Sequence, residues 1–307
     1  MPVSNFPTGF AHGVAIRGLP VLNTHSGTVF WVDSATGSNG NKGTRERPFA
    51  TIDYAVGRCT ANKGDIIMVK PGHTENITAA AEIDLDVAGI SVIGLGVGSD
   101  MPEIQFDHAS ATVAIGAHNV LVRGINFNAS VTAVAVGINV EADINGVVIE
   151  HCLFDVDTTT TDEFEHSIRF VDGNANCVVR YNQFIMGLGG AVAAIHLDAD
   201  TANMQIIGNY CTGDYSTACI VGDTTLSTNI LIDGNTLIQG IGGNIGTEPG
   251  IELLTGTTGV IQNNNIVCNL ATKAAAIVAD QCFYFENYYN EDVTGTGGLI
   301  GTASADD

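Results

Sequence analysis

The sequence predicts an all-β fold, a right-handed parallel β-helix (solenoid), from three observations. A phrase of the form β-branched–x–Gly/Asn–Asn–x–aromatic or aliphatic recurs from about residue 90 onward. Segments that alternate with period two, such as VAVGINVEA (134–142) and AAIHLDAD (193–200), lie between its copies and are typical of strands with one buried face. The composition, with 37 glycines and only 14% charged residues, suits short strands joined by tight turns better than a helical bundle.

The recurring phrase defines the length of one coil. Its clear copies are VLVRGINF (120–127), VVIEHCLF (147–154), CVVRYNQF (177–184), MQIIGNYC (204–211), ILIDGNTL (230–237) and GVIQNNNI (259–266). They align Val122, Ile149, Val179, Ile206, Ile232 and Ile261, at steps of 27, 30, 27, 26 and 29 residues. Such steps accommodate three short strands and three turns, and the leucine frame of a leucine-rich repeat is absent from the sequence.

Two further columns follow from the same alignment. A structural ladder is expected at Asn182, Asn209, Asn235, Asn264 and Asn287. We expect these asparagines to adopt the left-handed backbone of a sharp turn and to bond to the next coil through their amides. Two positions later, a buried column is expected at Phe127, Phe154, Phe184, Cys211, Leu237, Ile266 and Tyr289.

The ends of the chain depart from the repeat. We divide the chain into an extended N-terminal arm (1–28), a capping segment with a strand and a short helix from about Thr51 (29–64), the parallel β-helix (65–292) and a C-terminal tail (293–307). The arm is either a docking segment or simply a cap over the first coil.

A family resemblance enters at the capping segment. The stretch GTRERPFATIDYAVGRCTANKGDIIMVKPGHTENI (43–77) resembles the entry segment of pectin-lyase-like β-helix proteins. The longer blocks 5–38 and 86–96 are similar to phage-encoded β-helix virion proteins. The first resemblance implies the fold and leaves function open, because that fold hosts enzymes, adhesins and spacers. The second implies a structural protein of the phage head, of the capsid decoration or cement type.

Charge is distributed unevenly. Residues 1–70 contain seven basic and four acidic residues, a formal charge of +3, whereas the remainder contains four basic and 29 acidic residues, a formal charge of −25. A body this acidic repels nucleic acid and anionic membranes, so neither is expected as a partner. The sequence lacks an apolar run of about 18 residues, and Met1 to Gly13 do not resemble a signal peptide. The seven cysteines include no CxxC pair and are expected to be free, mostly buried thiols of a protein assembled in the host cytoplasm.

These observations favour a capsid decoration protein on the virion surface, bound to the major capsid protein through its N-terminal region. The candidate docking residues are Phe6, Phe10, Arg17 and Leu19, because a short arm cannot bury its own apolar side chains. We also expect a homotrimer, since closed symmetric oligomers are usual and capsid decorations commonly occupy local three-fold axes.

The alternative is a tailspike or receptor-binding β-helix that binds or hydrolyses host glycans. A glycosidase needs two carboxylates, and Asp172, Asp198 and Asp223 follow strands of the second family. Asp198 and Asp223 are expected about 5 Å apart on adjacent coils, and Asp172 about 10 Å from Asp223. The simpler interpretation is an acidic turn ladder exposed to water.

Other chemistry finds little support in the sequence. A pectate lyase would need a basic residue beside a calcium site, but Arg123 and Arg180 share a column two coils apart. The histidines show no ligand spacing, and His166 and His196 are expected either to stack near the acidic turns or to be surface residues. We therefore predict no enzymatic activity, no cofactor and no metal.

Overall fold

The structure is a computed structural model that describes residues 14–16, 19–21, 27–157, 161–187, 190–241, 244–270, 273–290 and 297–300. The chain winds as a right-handed parallel β-helix, in which successive coils add short strands to three sheets. Neighbouring strands in each sheet come from successive coils and pair in parallel. Each coil therefore satisfies its backbone hydrogen bonds through the coils above and below it.

Within the described residues, the first sheet contains ten strands, Val29–Val32, Ile66–Val69, Ser91–Gly94, Leu121–Arg123, Val148–Glu150, Val178–Arg180, Gln205–Ile207, Ile230–Asp233, Gly259–Gln262 and Cys282–Phe285. The parallel strands of the second sheet are Thr74–Ile77, Glu103–Phe106, Asn126–Ala129, Leu153–Val156, Gln183–Ile185, Tyr210–Gly213, Thr236–Ile241, Asn265–Val267 and Tyr288–Asn290, to which Asn244–Ile245 and Gly297–Leu299 add antiparallel. The third sheet contains Ile83–Asp84, Val113–Ile115, Val134–Val140, Phe164–Phe170, Ala193–Leu197, Ile220–Gly222, Ile251–Leu253 and Ile277–Val278.

A few short elements lie outside these sheets. Asn174–Ala175 pairs in parallel with Thr201–Ala202, and Val14–Ile16 pairs antiparallel with Leu19–Val21. Among the described residues, the helical segments are the α-helix Ile52–Val56 and the 3₁₀ turns Gly98–Asp100 and Lys273–Ala276.

The predicted apolar columns are confirmed. The β-branched column pairs in register from Val122 to Ile261 and lines the interior. In the second sheet, the ring of Phe154 stacks on Phe127 at 5.0 Å and on Phe184 at 4.8 Å between centroids. The column continues through Cys211, Leu237, Ile266 and Tyr289 on the following coils. Stacking buries on each coil the apolar face that a single coil would expose.

The asparagine column lies at the turn between the first and second sheets. The side-chain amide of Asn182 donates to Asn209 Oδ1 at 3.1 Å, and the same oxygen accepts the backbone N–H of Asn182 at 3.0 Å. The same pair of bonds runs from Asn209 to Asn235, from Asn235 to Asn264 and from Asn264 to Asn287, and all five asparagines are fully or almost fully buried.

The left-handed backbone occurs one residue earlier than the sequence predicts. Positive φ angles are found at the residues that precede the ladder, namely Tyr181, Gly208, Gly234, Asn263 and Glu286. Because the chain turns the corner at that preceding residue, each asparagine can direct its amide along the stack toward the next coil.

The N-terminal pole of the solenoid is covered by the segment that precedes the first full coil. Val29–Val32 pairs in parallel with Ile66–Val69 at the edge of the first sheet. The hydroxyl of Thr51 accepts the backbone N–H of Tyr54 at 3.4 Å and caps the α-helix, which buries Ile52 against the core.

Most of the arm and the tail fall outside the described residues, together with the docking candidates Phe6, Phe10 and Arg17. Leu19 begins a strand whose backbone pairs with Val14–Ile16.

The cysteine prediction is confirmed: all seven are free, six are buried and Cys59 is half-buried. Burial raises the pKa of the Cys152 and Cys268 thiols to about 12, so they remain protonated and pack as small apolar groups. Among the described helices, none has the length and apolar character needed to cross a bilayer.

Candidate functional site

A cluster of one histidine and two aspartates lies on the outer side of the third sheet. His196 lies on the strand Ala193–Leu197, and Asp198 follows directly after that strand. His196 pairs with Val221 on the next coil, which places Asp223 beside Asp198. His196 Nε2 lies 2.9 Å from Asp223 Oδ1 and 3.8 Å from Asp198 Oδ1, and the three side-chain atoms lie within 4.8 Å of one another. The structure therefore brings together the two aspartates that the sequence places on adjacent coils.

An arginine from the preceding coil neutralises one of these carboxylates. Arg169 pairs with His196 in the sheet, and its Nε and Nη2 both donate to Asp198 Oδ2, the former at 2.9 Å. Burial acts to raise the pKa of Asp198, but the hydrogen bond and charge of Arg169 outweigh it and hold the pKa below its ordinary value. Asp198 is therefore held as the anion, which is unsuited to the general-acid role in glycoside hydrolysis.

The third predicted carboxylate does not join the cluster. Phe170 pairs with Leu197, so the register aligns Val171 with Asp198 and leaves Asp172 one residue further along. Asp172 is exposed, and its carbonyl accepts a backbone hydrogen bond from Asp143.

The two histidines of this region do stack. The rings of His166 and His196 lie 4.5 Å apart between centroids and are tilted by 23°. Burial, followed by the charges of His196 and Arg169, lowers the pKa of His166 to about 4. His166 is therefore uncharged at neutral pH.

A second candidate lies beside the turn from the first to the second sheet. Arg123 and Arg180 share a column, as the repeat predicts, and Glu150 lies between them. Arg123 Nη1 donates to Glu150 Oε1 at 3.0 Å, and Arg180 Nε donates to Oε2 at 2.7 Å. Glu150 is buried, whereas the arginine side chains are about half exposed, at 50% and 45%. Two cations sharing one carboxylate leave an excess positive charge on this otherwise acidic surface.

Arg123 borders a groove of about 580 Å³. Tyr181 lines the groove, is 51% exposed and stacks on His151 at 5.4 Å between centroids. The exposed ring can stack on a flat face of a ligand, and the guanidinium beside it can donate charge-assisted hydrogen bonds to an anion.

Among the side chains that the structure describes, exposed cations are concentrated at the N-terminal pole. Lys42, Arg45, Arg47 and Arg58 are exposed on the segment that covers the first coil. The Arg45 guanidinium lies 5.7 Å from the centre of the Trp31 ring, which gives this cation a fixed platform.

Comparison with known proteins yields fold relatives and no family assignment. No protein-family profile matches the chain, and no curated protein matches it. The GH136 lacto-N-biosidase from Eubacterium ramulus matches with a TM-score of 0.54 and 12% identity, over 87% of this chain and 56% of that one. A rhamnogalacturonan lyase matches with a TM-score of 0.46 and 15% identity, over 86% and 67% of the two chains. ORF18 of Geobacillus virus E2 matches with a TM-score of 0.49 and 13% identity, over 89% and 63%.

This chain thus spans little more than half the length of the lacto-N-biosidase, and at 12% identity the likeness extends to the fold alone.

Sequence reasoning located part of the histidine–aspartate cluster and missed its organisation. His196 and Asp198 form a His-x-Asp pair whose side chains share one face of a strand, which is a local signal. The alignment of Arg169 with His196 could not be predicted without the register between two coils. The groove beside Tyr181 could not be predicted without the path of the turns.

Proposed function

We propose that this chain is a structural bacteriophage virion protein, a capsid decoration or cement protein that docks on the major capsid protein through its N-terminal region. The observation that carries the proposal is the charge polarity of the solenoid. Lys42, Arg45, Arg47 and Arg58 are exposed at the N-terminal pole, whereas residues beyond 70 carry 29 acids against four bases.

The polarity has a direct physical consequence for docking. An acidic shell attracts the basic pole and repels the acidic body, so approach is oriented before contact is made. The arm supplies Phe6, Phe10, Arg17 and Leu19, which would combine apolar burial with charge when bound to the shell. The acidic bodies, projecting outward, would keep decorated particles apart. The location would be the capsid surface, and a homotrimer would match a local three-fold axis.

Co-sedimentation with undecorated capsids tests this proposal. Arg45→Gln combined with Arg47→Gln, and separately Arg17→Glu, should weaken binding, and the loss should be larger at low salt because ions screen exposed charges. Gln205→Glu combined with Gln281→Glu changes the net charge equally on the acidic body and is the matched control. Undiminished binding by both sets of N-terminal variants would contradict N-terminal docking.

Glycan binding is the second candidate, and the groove beside Tyr181 favours it. The exposed ring and the half-exposed Arg123 would suit a sugar that carries a carboxylate. We expect no release of reducing ends or unsaturated products from host surface glycans. Cleavage that Asp198→Asn or Asp223→Asn abolishes would replace the structural proposal with a tailspike enzyme.

A further inference from the structure

We propose that His196, Asp198 and Asp223 form a binding site for a divalent transition-metal ion such as Zn²⁺, which joins two successive coils of the third sheet. His196 and Asp198 come from one coil and Asp223 from the next. The proposal is independent of capsid docking, because the cluster lies on the coil body and not at the N-terminal pole.

The spacing of the donor atoms supports the site. Ligands at 2.0–2.2 Å around a tetrahedral metal lie roughly 3.4 Å from one another. His196 Nε2 lies 2.9 Å from Asp223 Oδ1 and 3.8 Å from Asp198 Oδ1, values that bracket this distance. The hydroxyl of Thr224 lies 3.2 Å from Oδ1 of both aspartates, so these two oxygens face a common point. All three donor atoms lie within 4.8 Å of one another, so closure onto a metal ion requires the two aspartate side chains to move inward.

The donor types indicate the class of metal. One imidazole and two carboxylates are ligands for Zn²⁺ and its first-row neighbours, whereas Ca²⁺ and Mg²⁺ prefer oxygen-only sites with more ligands. With three protein ligands, the fourth position would be taken by water, as in open zinc sites.

The surroundings hold the donors in place. Arg169 bonds only to Oδ2 of Asp198, which leaves Oδ1 facing His196. An arginine that holds the other carboxylate oxygen in this way fixes the orientation of a ligating carboxylate.

The histidine is fixed in its orientation by burial. His196 is only 7% exposed, and the nitrogen that it directs at the two carboxylates is Nε2. Its Nδ1 is buried with no hydrogen-bond partner within the described residues, so Nε2 is the ring nitrogen available to a metal ion.

The test uses Co²⁺, whose tetrahedral complexes absorb visible light, added to the full-length protein after dialysis against a chelator. We expect visible bands that saturate at one Co²⁺ per chain, disappear on addition of Zn²⁺ and persist in excess Ca²⁺. Zn²⁺ should also raise the melting temperature. Asp223→Asn and His196→Gln should weaken metal binding at least roughly tenfold.

Two controls separate the site from general effects. Asp172→Asn removes an exposed aspartate outside the trio and should leave the bands unchanged. If His196→Gln fails to fold, Asp223→Asn still decides, because the Asp223 side chain is 49% exposed and its loss spares the core. Absence of Co²⁺ bands in the wild-type chain, bands that survive in the folded Asp223→Asn variant, or displacement by Ca²⁺ would each overturn the proposal.

Discussion

At the scale of single residues, stability depends on buried polar groups that find partners on the next coil. Asn209 accepts two hydrogen bonds from Asn182 and donates to Asn235 and to the carbonyl of Val179. Asn209→Leu removes all of these bonds and leaves buried donors and acceptors unpaired, so we expect a loss of about 3 kcal/mol in the free energy of unfolding. Urea titration followed by circular dichroism measures it.

The matched control for this change is Gln205→Leu, an exposed position on the same coil, for which a change within about 0.5 kcal/mol is expected. Equal effects at the two positions would show that the ladder is not a stabilising element.

Glu163 is a buried residue whose environment opposes its charge. It is 6% exposed, and its Oε2 has no hydrogen-bond partner among the described residues. Burial raises the pKa of Glu163, and the neighbouring charges of Glu165 and Asp214 raise it further. A raised pKa in the folded state means that stability is greatest below the unfolded pKa and falls as pH rises through the folded one.

Glu163→Gln should therefore gain stability relative to the wild type as the pH is raised from 4 to 7. The measurement is the melting temperature of both proteins across that range, with Asp172→Asn as a control for loss of one negative charge. A difference between Glu163→Gln and wild type that stays constant with pH would show that Glu163 has no raised pKa.

At the scale of elements, the sequence predicts what repeats and misses what occurs once. The columns from Val122 to Ile261 and from Phe127 to Tyr289 recur in every coil, so each copy reinforces the same register. A side chain must face inward at every second strand position, and this constraint is visible in one sequence.

Turns lack such redundancy. The left-handed residue is the one that precedes each asparagine of the ladder. Residues as different as Tyr181, Gly208 and Glu286 adopt that conformation, so residue type does not reveal the position from the sequence. The sequence predicts Asp172 about 10 Å from Asp223, from the similar strand endings, but the pairing of Phe170 with Leu197 places Asp172 one residue beyond the position that faces Asp198. The geometry of a site built from two coils depends on such single-residue offsets. The sequence therefore predicts the position of a side chain that lies on a strand, such as His196, better than that of a side chain on a turn.

At the scale of the whole molecule, the rigid stack keeps the basic capping segment and the acidic coils apart, so the charge of the molecule is unevenly distributed along its axis. The capping segment and the acidic coils are held at fixed positions along one axis, since each coil is hydrogen-bonded to the next throughout the described residues. A flexible chain of the same composition would average the two charges, whereas the solenoid keeps them apart.

This polarity also governs how copies of the chain associate. Each protomer has a formal charge of −22, and lateral contact between acidic bodies brings like charges together. We expect a homotrimer whose stability increases with NaCl, because salt screens repulsion between the bodies. Contact between the basic pole of one copy and the acidic body of another would show the opposite salt dependence and would build open chains, because head-to-tail contacts need not close.

Light scattering coupled to size-exclusion chromatography, at low and high NaCl, distinguishes the two arrangements. A trimer whose population increases with salt supports lateral association. Larger oligomers that dissociate as salt is added indicate head-to-tail contact. A monomer at every salt concentration, in solution and on capsids, would show that the trimer prediction is wrong.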